Sequence, residues 1–351
     1  MESQRLHGGD GGSGVTRVAL GLGGILPVRA AVEFARYAED QGFESCWLHE
    51  AYWNRDAPTY LAAMGVATRR LGLATGCVNP FTRHPVLVAS TLATIDELSG
   101  GRAILGFGTG YPARLDEQGI SHDRPLGAMR ESIGLIRRLW QGEKITFTGR
   151  RFSLQNVALT VRPAHTIPVY LAGWRPGMLR IAGEVCDGYL ARALESPASC
   201  RRLIAGVRAA ASRVERDPDG VDVAAYLLCA ADPDRRAARD AMRRDPFVSY
   251  QFAVIDEAVL RESGVDPESK RRIAEPFFRG DLEGARGQIG DALLDAFTLA
   301  GSPDDVLGRL GAYAEAGVRL PILQPVASDA TGVRRVIDVG REHARSAIAA
   351  H

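Results

Sequence analysis

The sequence predicts an α/β fold, a (β/α)8 TIM barrel with a helical insertion before its last strand. Three observations lead there. Short apolar runs that suit strands alternate with stretches of helical apolar spacing, and the beat returns eight times along 351 residues. Glycines stop several of the helices and follow several of the strands. One span, 232–299, is too long for a single strand-to-helix step and is rich in Arg, Asp and Glu with helical patches. A doubly wound open sheet is the rival, but it usually has fewer strands.

Residues 15–22 form an apolar run ending in Gly21, Gly23 and Gly24, and read as the first strand. Pro27 can start a helix, because its missing N–H costs nothing in a first turn. Ala31, Phe34, Ala35 and Ala38 follow at helical spacing, and Gly42 stops that helix. Residues 43–48 are the second strand, 57–69 a helix and 71–77 the third strand. A helix over 84–98 puts Val88, Leu92 and Ile95 on one face and is closed by Gly100 and Gly101. Strand four spans 103–107, and the helix over 125–140 aligns Met129, Ile133, Ile136 and Trp140. Residues 144–154 read as a small β-hairpin outside the beat. Then come strand five (168–171), a helix (177–184), strand six (187–190), a helix (197–212) and strand seven (221–230). Strand eight is 320–324, and a last helix runs from about 332 to 349. The organisation is a single barrel domain over 15–351 behind a glycine-rich tail, 1–14, expected to be disordered. The insertion, 232–299, reads as a lid or dimer element.

Composition narrows the function. Basic residues number 43 against 42 acidic, a net charge of +1, which argues against a bulk electrostatic grip on nucleic acid or an anionic membrane. Only Lys144 and Lys270 are lysines, which weakens any Schiff-base mechanism. Five scattered cysteines without a C-x-x-C pair make a disulfide framework or zinc site unexpected and fit a reducing cytosol. No apolar run approaches the ~20 residues of a membrane span, and 1–14 lacks the apolar stretch of a signal peptide. A cytoplasmic location is the expectation. No H-E-x-x-H, Walker loop or G-x-S-x-G occurs, so no metal site is expected.

A barrel of this kind works at the C-terminal ends of its strands. Those ends carry His49-Glu50-Ala51-Tyr52-Trp53-Asn54-Arg55-Asp56, the run Thr75-Gly76-Cys77-Val78-Asn79-Pro80-Phe81-Thr82-Arg83-His84-Pro85, then Gly106-Phe107-Gly108-Thr109-Gly110-Tyr111, Ala172-Gly173-Trp174-Arg175-Pro176-Gly177-Met178 and Gln324-Pro325. Glycine, aromatic and polar residues concentrate at this rim, as in a pocket that lets a planar ligand approach backbone closely.

The stretches WLHEAYWNRDA, TGCVNPFTRHP, DELSGGRAILGFGTG and VYLAGWRPGMLRIAGEVCDGYL resemble the luciferase-like flavin and deazaflavin oxidoreductases. The Asn79–Pro85 run most resembles the branch that uses the 8-hydroxy-5-deazaflavin coenzyme F420, to which methylenetetrahydromethanopterin reductase belongs. The resemblance implies a non-proline cis peptide at Gly76–Cys77, forming a bulge behind the coenzyme's central ring. It puts Asn79 near the polar edge of the ring and lets Gly108 and Thr109 continue the wall. It assigns Gly173, Trp174, Gly177 and Met178 to the stretch that holds the coenzyme phosphate, with Pro176 opening a helix whose N-terminus favours an anion. Glu50 matches the family's acidic position after strand two, while Ala51 replaces its histidine.

The implied activity is hydride transfer between C5 of F420 and a C=N, C=C or C–OH group of a small molecule, more as a reductase than as a dehydrogenase. Glu50 is the expected proton donor, a carboxyl whose pKa aromatic walls would raise; the alternative is a plain ion pair with Arg55 or Arg83. His49 and His84 read as structural or wall residues, with Thr82 a possible helix cap. Cys77 offers its backbone rather than its thiol. Arg192, after strand six, reads as solvated by default, with a reach to a phosphate or the coenzyme's acidic tail as the alternative; Tyr111 and Trp53 read as ring or substrate walls or as rim packing. An FMN-dependent two-component monooxygenase and a non-catalytic flavin-binding barrel are the other readings. A homodimer through early barrel helices is what the resemblance implies.

Overall fold

The computed structural model describes residues 16–23, 25–51, 53–327 and 329–346. The chain runs β1 (Ala19–Gly23), α1 (Val28–Asp40), β2 (Ser45–His49), α2 (Ala57–Ala67), β3 (Gly72–Thr75), α3 (Pro85–Ser99) and β4 (Ala103–Phe107). It continues with α4 (Pro112–Asp116), α5 (Pro125–Trp140), the hairpin β5 (Ile145–Thr148) and β6 (Ser153–Val157), β7 (Val169–Ala172), α6 (Pro176–Val185), β8 (Gly188–Ala191), α7 (Pro197–Ser212) and β9 (Asp222–Ala231). Six helices follow: α8 (Arg235–Arg244), α9 (Pro246–Ala253), α10 (Glu257–Glu262), α11 (Glu268–Phe278), α12 (Leu282–Gly287) and α13 (Asp291–Phe297). The chain then forms β10 (Leu299–Gly301), α14 (Pro303–Glu315), β11 (Leu320–Pro325) and α15 (Ala330–Ser346).

Eight parallel strands close into a ring in the order β1-β2-β3-β4-β7-β8-β9-β11, with β11 returning to β1. This is a TIM barrel. Strand alternation sorts its side chains into two layers. Ala19, Trp47, Ala74, Tyr170, Leu190, Ala224, Tyr226, Leu320 and Ile322 fill the inside of the ring. Their chain neighbours, among them Leu20, Cys46, Leu48, Leu73, Leu171 and Tyr189, pack outward against the helices. A separate apolar cluster holds α8–α13 together and joins them to the barrel rim through Leu194, Leu228, Ala230, Ala300 and Val326.

The structure differs from the expectation in a few places. Pairing of the first strand with β2 and β11 begins at Ala19, so 16–18 lie outside it. Leu299, read as the end of the insertion, opens the short strand β10. That strand pairs with Cys229–Ala231, the part of β9 that outruns β8. Three residues are too few for alternation to show in sequence. The tail 1–14 lies outside the described residues, as does the end of the last helix beyond Ser346.

Candidate active site

The β3 and β4 ends approach each other through glycine. A Cβ on Gly106 would stand 1.9 Å from the Thr75 carbonyl oxygen, so no side chain fits. Thr75 Oγ1 donates to the Gly106 carbonyl at 2.8 Å, and the Gly106 N–H donates to Thr75 Oγ1 at 3.0 Å. Past β3 the Gly76–Cys77 peptide is cis, at the position the resemblance implied. The segment is tied on both sides: Gly76 N–H to the Leu48 carbonyl at 2.7 Å, Val78 N–H to Gly106 at 3.1 Å and Gly108 N–H to Val78 at 3.0 Å. A Cβ on Gly108 would meet only Ala172 and Cys77, at 3.5 and 3.7 Å. Gly76, Cys77 and Gly108 therefore form one low wall, lined by backbone.

Tyr226 stands behind that wall, a residue the sequence reading did not single out. Its ring passes Gly21 and its hydroxyl lies where a Cβ on Gly76 would be, 2.0 Å from that point. The hydroxyl is buried without a hydrogen-bond partner, and burial holds its pKa well above the ordinary value. Burial also pushes the Cys77 thiol up to about 12, so it stays a thiol and contributes packing and backbone. Asn79 is buried, and its Oδ1 accepts from Phe81 and Thr82 N–H at 2.9 Å each. Only its Nδ2 remains for a ligand.

The β2 end divides its two polar residues. Alternation from Trp47 turns His49 toward the barrel axis, and Glu50 lies just past the strand's end. The β2–β3 register puts Leu48 opposite Thr75, so His49 lies level with Gly76. On its other side Gly23 leaves room for the imidazole, whose Cε1 would be 3.0 Å from a Cβ there. Phe247 of α9 stacks on the ring at 5.8 Å and 12°. Burial lowers the His49 pKa to about 4, so the ring is neutral at physiological pH. Glu50 Oε1 accepts from Arg83 Nε at 2.9 Å and from Arg83 Nη2, which also pairs with Asp56. The second oxygen, Oε2, is buried and has no hydrogen-bond partner. The ion pair with Arg83 is thus present, and Arg55 bonds the Ile25 carbonyl instead.

His84 is the cap of α3, its Nδ1 accepting from the Val86 N–H at 3.3 Å; Thr82 Oγ1 has no partner. On the far side of the ring, a Cβ on Gly173 would stand 2.7 Å from Met178 Cβ, and one on Gly177 would be 2.5 Å from Leu126 Cδ1. Gly173 lets the β7–α6 turn fold tightly onto the first turn of α6, and Gly177 lets that first turn pack against α5. Trp174 is 37% exposed and carries the Arg192 guanidinium on its face, 3.9 Å from the ring centre. Thr109 lies on the loop after β4, between Gly108 and Gly110 in the chain. Helix α9 leans over the mouth: Tyr250 meets Tyr111 edge-on at 6.4 Å, and Gln251 Nε2 donates to the Tyr111 hydroxyl at 3.5 Å. Arg114 lies over both Trp53 and Tyr250. Sequence reasoning took the insertion as a lid or dimer element but had no signal for Phe247, Tyr250 or Gln251, because only the fold of α9 brings them to the rim.

A parallel barrel whose C-terminal mouth has a glycine wall on one side and a tight glycine turn before a helix on the other defines a class. The chain belongs to the luciferase-like monooxygenase family, which matches over residues 7–320. It is 36% identical to a 5,10-methylenetetrahydromethanopterin reductase from Methanolobus tindarius, over 83% of this chain and 89% of that one. An F420-dependent glucose-6-phosphate dehydrogenase from Microbacterium testaceum shares 26% identity, over 82% of this chain and 84% of that one. Among solved structures, the coenzyme F420 dependent tetrahydromethanopterin reductase from Methanopyrus kandleri superposes with a TM-score of 0.85 at 28% identity, covering 94% of this chain and 98% of that chain.

Proposed function

We propose that this protein is a coenzyme F420-dependent oxidoreductase acting on a small molecule. The observation that carries the reading is the glycine wall at the mouth. Gly108 keeps the wall low beside Cys77, and Gly76 brings the backbone up against Tyr226 behind it, so a flat ring can lie in van der Waals contact with the Gly76–Cys77 peptide. The residues present fit the coenzyme. Gly173 folds the turn onto Met178, Gly177 lets α6 start close against Leu126, and the N-terminus of α6 suits a phosphate. When bound, the coenzyme supplies a carbon that accepts or donates a hydride at C5.

The chain's own residues do the rest. The wall orients the ring, and α9 with Phe247, Tyr250 and Gln251 covers the mouth and keeps water from the transfer. Glu50 handles the proton that accompanies the hydride, through Oε2, the oxygen that Arg83 leaves unpartnered. Asn79 Nδ2 serves the polar edge of the ring, and Thr109 extends the wall beyond Gly108. Similarity to reductases supports the reductive direction.

Titration of the full chain with F420 and, separately, with FMN tests the reading. F420 is expected to bind and FMN to bind more weakly; FMN binding without F420 binding would reverse the assignment. We extend the proposal to a cytoplasmic homodimer. Val66 on α2 and Leu87 and Leu98 on α3 are exposed apolar side chains on early barrel helices. Light scattering is expected to give twice the chain mass; a monomer at micromolar concentration contradicts it. Among the described residues no helix is long and apolar enough to cross a membrane.

A further inference from the structure

In the ring order, β8 stands opposite β2, four strands away. A polar cluster at its end has no task in the reading above. Alternation from Leu190 turns Arg192 toward the barrel axis, across the mouth from His49. Its guanidinium stacks on Trp174, and Nε donates to Glu195 Oε1 at 2.7 Å. Glu195 is only 1% exposed. This contact uses one donor and one acceptor of a pair that could form two parallel bonds. Arg192 Nη2 and Glu195 Oε2 are both buried and both lack a hydrogen-bond partner. Unused buried donors and acceptors are costly and call for an explanation.

The two leftover atoms are of opposite kind. A hydroxyl oxygen accepts from Nη2 while its proton is donated to Oε2, so one neutral group satisfies both. A carboxylate or phosphate satisfies only Nη2 and meets the charge of Glu195 in a poorly hydrated place, where repulsion is weakly screened. The pair is electrically balanced, and His49 opposite adds no charge at physiological pH. Trp174, one face of which carries the guanidinium, remains partly exposed beside them and offers apolar ring surface for C–H groups.

We propose that Arg192 and Glu195 form the anchoring subsite for the substrate and that it takes a neutral hydroxylated molecule, an alcohol or polyol, in preference to a phosphate or carboxylate. The proposal rests on the mouth being the coenzyme and substrate pocket. It concerns recognition, and no bond is made or broken at this pair.

The test uses a matched pair of probes, cyclohexanol and cyclohexanecarboxylate, with inorganic phosphate as a third. Each is titrated calorimetrically into the full chain, with and without bound F420. Wild type is expected to bind cyclohexanol at least about tenfold more tightly than either anion, the span of one well-made hydrogen bond. Arg192→Met is expected to lose that preference with F420 affinity unchanged. Glu195→Gln, which leaves the guanidinium without its counter-charge, is expected to gain phosphate affinity. Tighter binding of either anion by wild type, or binding of no probe, overturns the proposal without needing a variant. Loss of F420 binding in Arg192→Met with alcohol binding intact also overturns it, assigning the guanidinium to the coenzyme. Failure of wild type to bind F420 at all is a separate result, which removes the reading beneath it.

Discussion

Glu50 and His49 are adjacent in sequence and have different partners, Arg83 for one and Phe247 for the other, and their chemistry follows from that. Glu50 is anchored by Arg83 through one oxygen, so only Oε2 is left to carry a proton. Glu50→Gln is expected to slow single-turnover hydride transfer roughly 100-fold, as loss of a positioned acid or base does. Coenzyme affinity should hold; an unchanged pH–rate profile rules the role out. His49 makes a different prediction. Its folded pKa of about 4 lies below the ordinary 6.5, so between these values the unfolded chain binds a proton that the folded one does not. That contribution to stability is whole above pH 6.5 and is lost as pH falls through 4. His49→Phe, measured against wild type by denaturant melts across that window, should flatten the slope. Equal slopes would mean the imidazole is solvated.

At the scale of elements, neighbouring glycines on β4 and just beyond it should behave unlike each other. Gly106→Ala drives a methyl into the Thr75 carbonyl at 1.9 Å and is expected to cost about 3 kcal/mol or more, through overpacking against backbone that cannot retreat. Gly108→Ala meets only ordinary contacts, so the melting temperature should stay put while F420 affinity drops, because the methyl occupies the wall's surface. Equal effects on stability, or unimpaired coenzyme binding in Gly108→Ala, would place the ring elsewhere. Much of this element level was legible in the sequence. β4, α5 and α7 fall at the expected bounds because apolar spacing and helix-stopping glycines act locally. β10 and the short α4 were not legible, since each is defined by tertiary contacts and too brief to show a period. The placing of α9 over the mouth was illegible for the same reason: its periodicity says helix and nothing about which rim it covers.

Across the whole molecule, the two ends of the barrel divide the labour. The mouth holds the glycine wall and the polar groups just described. The opposite end is locked by Asp222, which accepts from Arg17 Nη1 at 2.9 Å and from the Tyr170 hydroxyl at 2.6 Å, with Arg17 also gripping Glu44. Burial pushes the Asp222 carboxyl up, but Arg17 and the hydrogen bonds outweigh it, and its pKa lies below the ordinary 3.8. Its stabilising contribution is therefore present above pH 3.8 and lost as pH falls through the lower folded value. Asp222→Asn should cost about 3–5 kcal/mol, the usual consequence of breaking a buried pair, and leave F420 affinity unaltered. The sequence showed the closed ring through its eight beats. It could not show which side of β2 faces the axis, because a one-residue change in where a strand starts exchanges every side chain between the layers. The Glu50–Arg83 ion pair, by contrast, was one of the readings the sequence offered, and it is present.

The most direct measurement is a crystal structure of the protein soaked with F420. The account predicts the deazaflavin ring lying flat on Gly76, Cys77 and Gly108, with its phosphate at the Gly173–Met178 turn. A ring bound away from that wall, or no ring at saturating coenzyme, would contradict it.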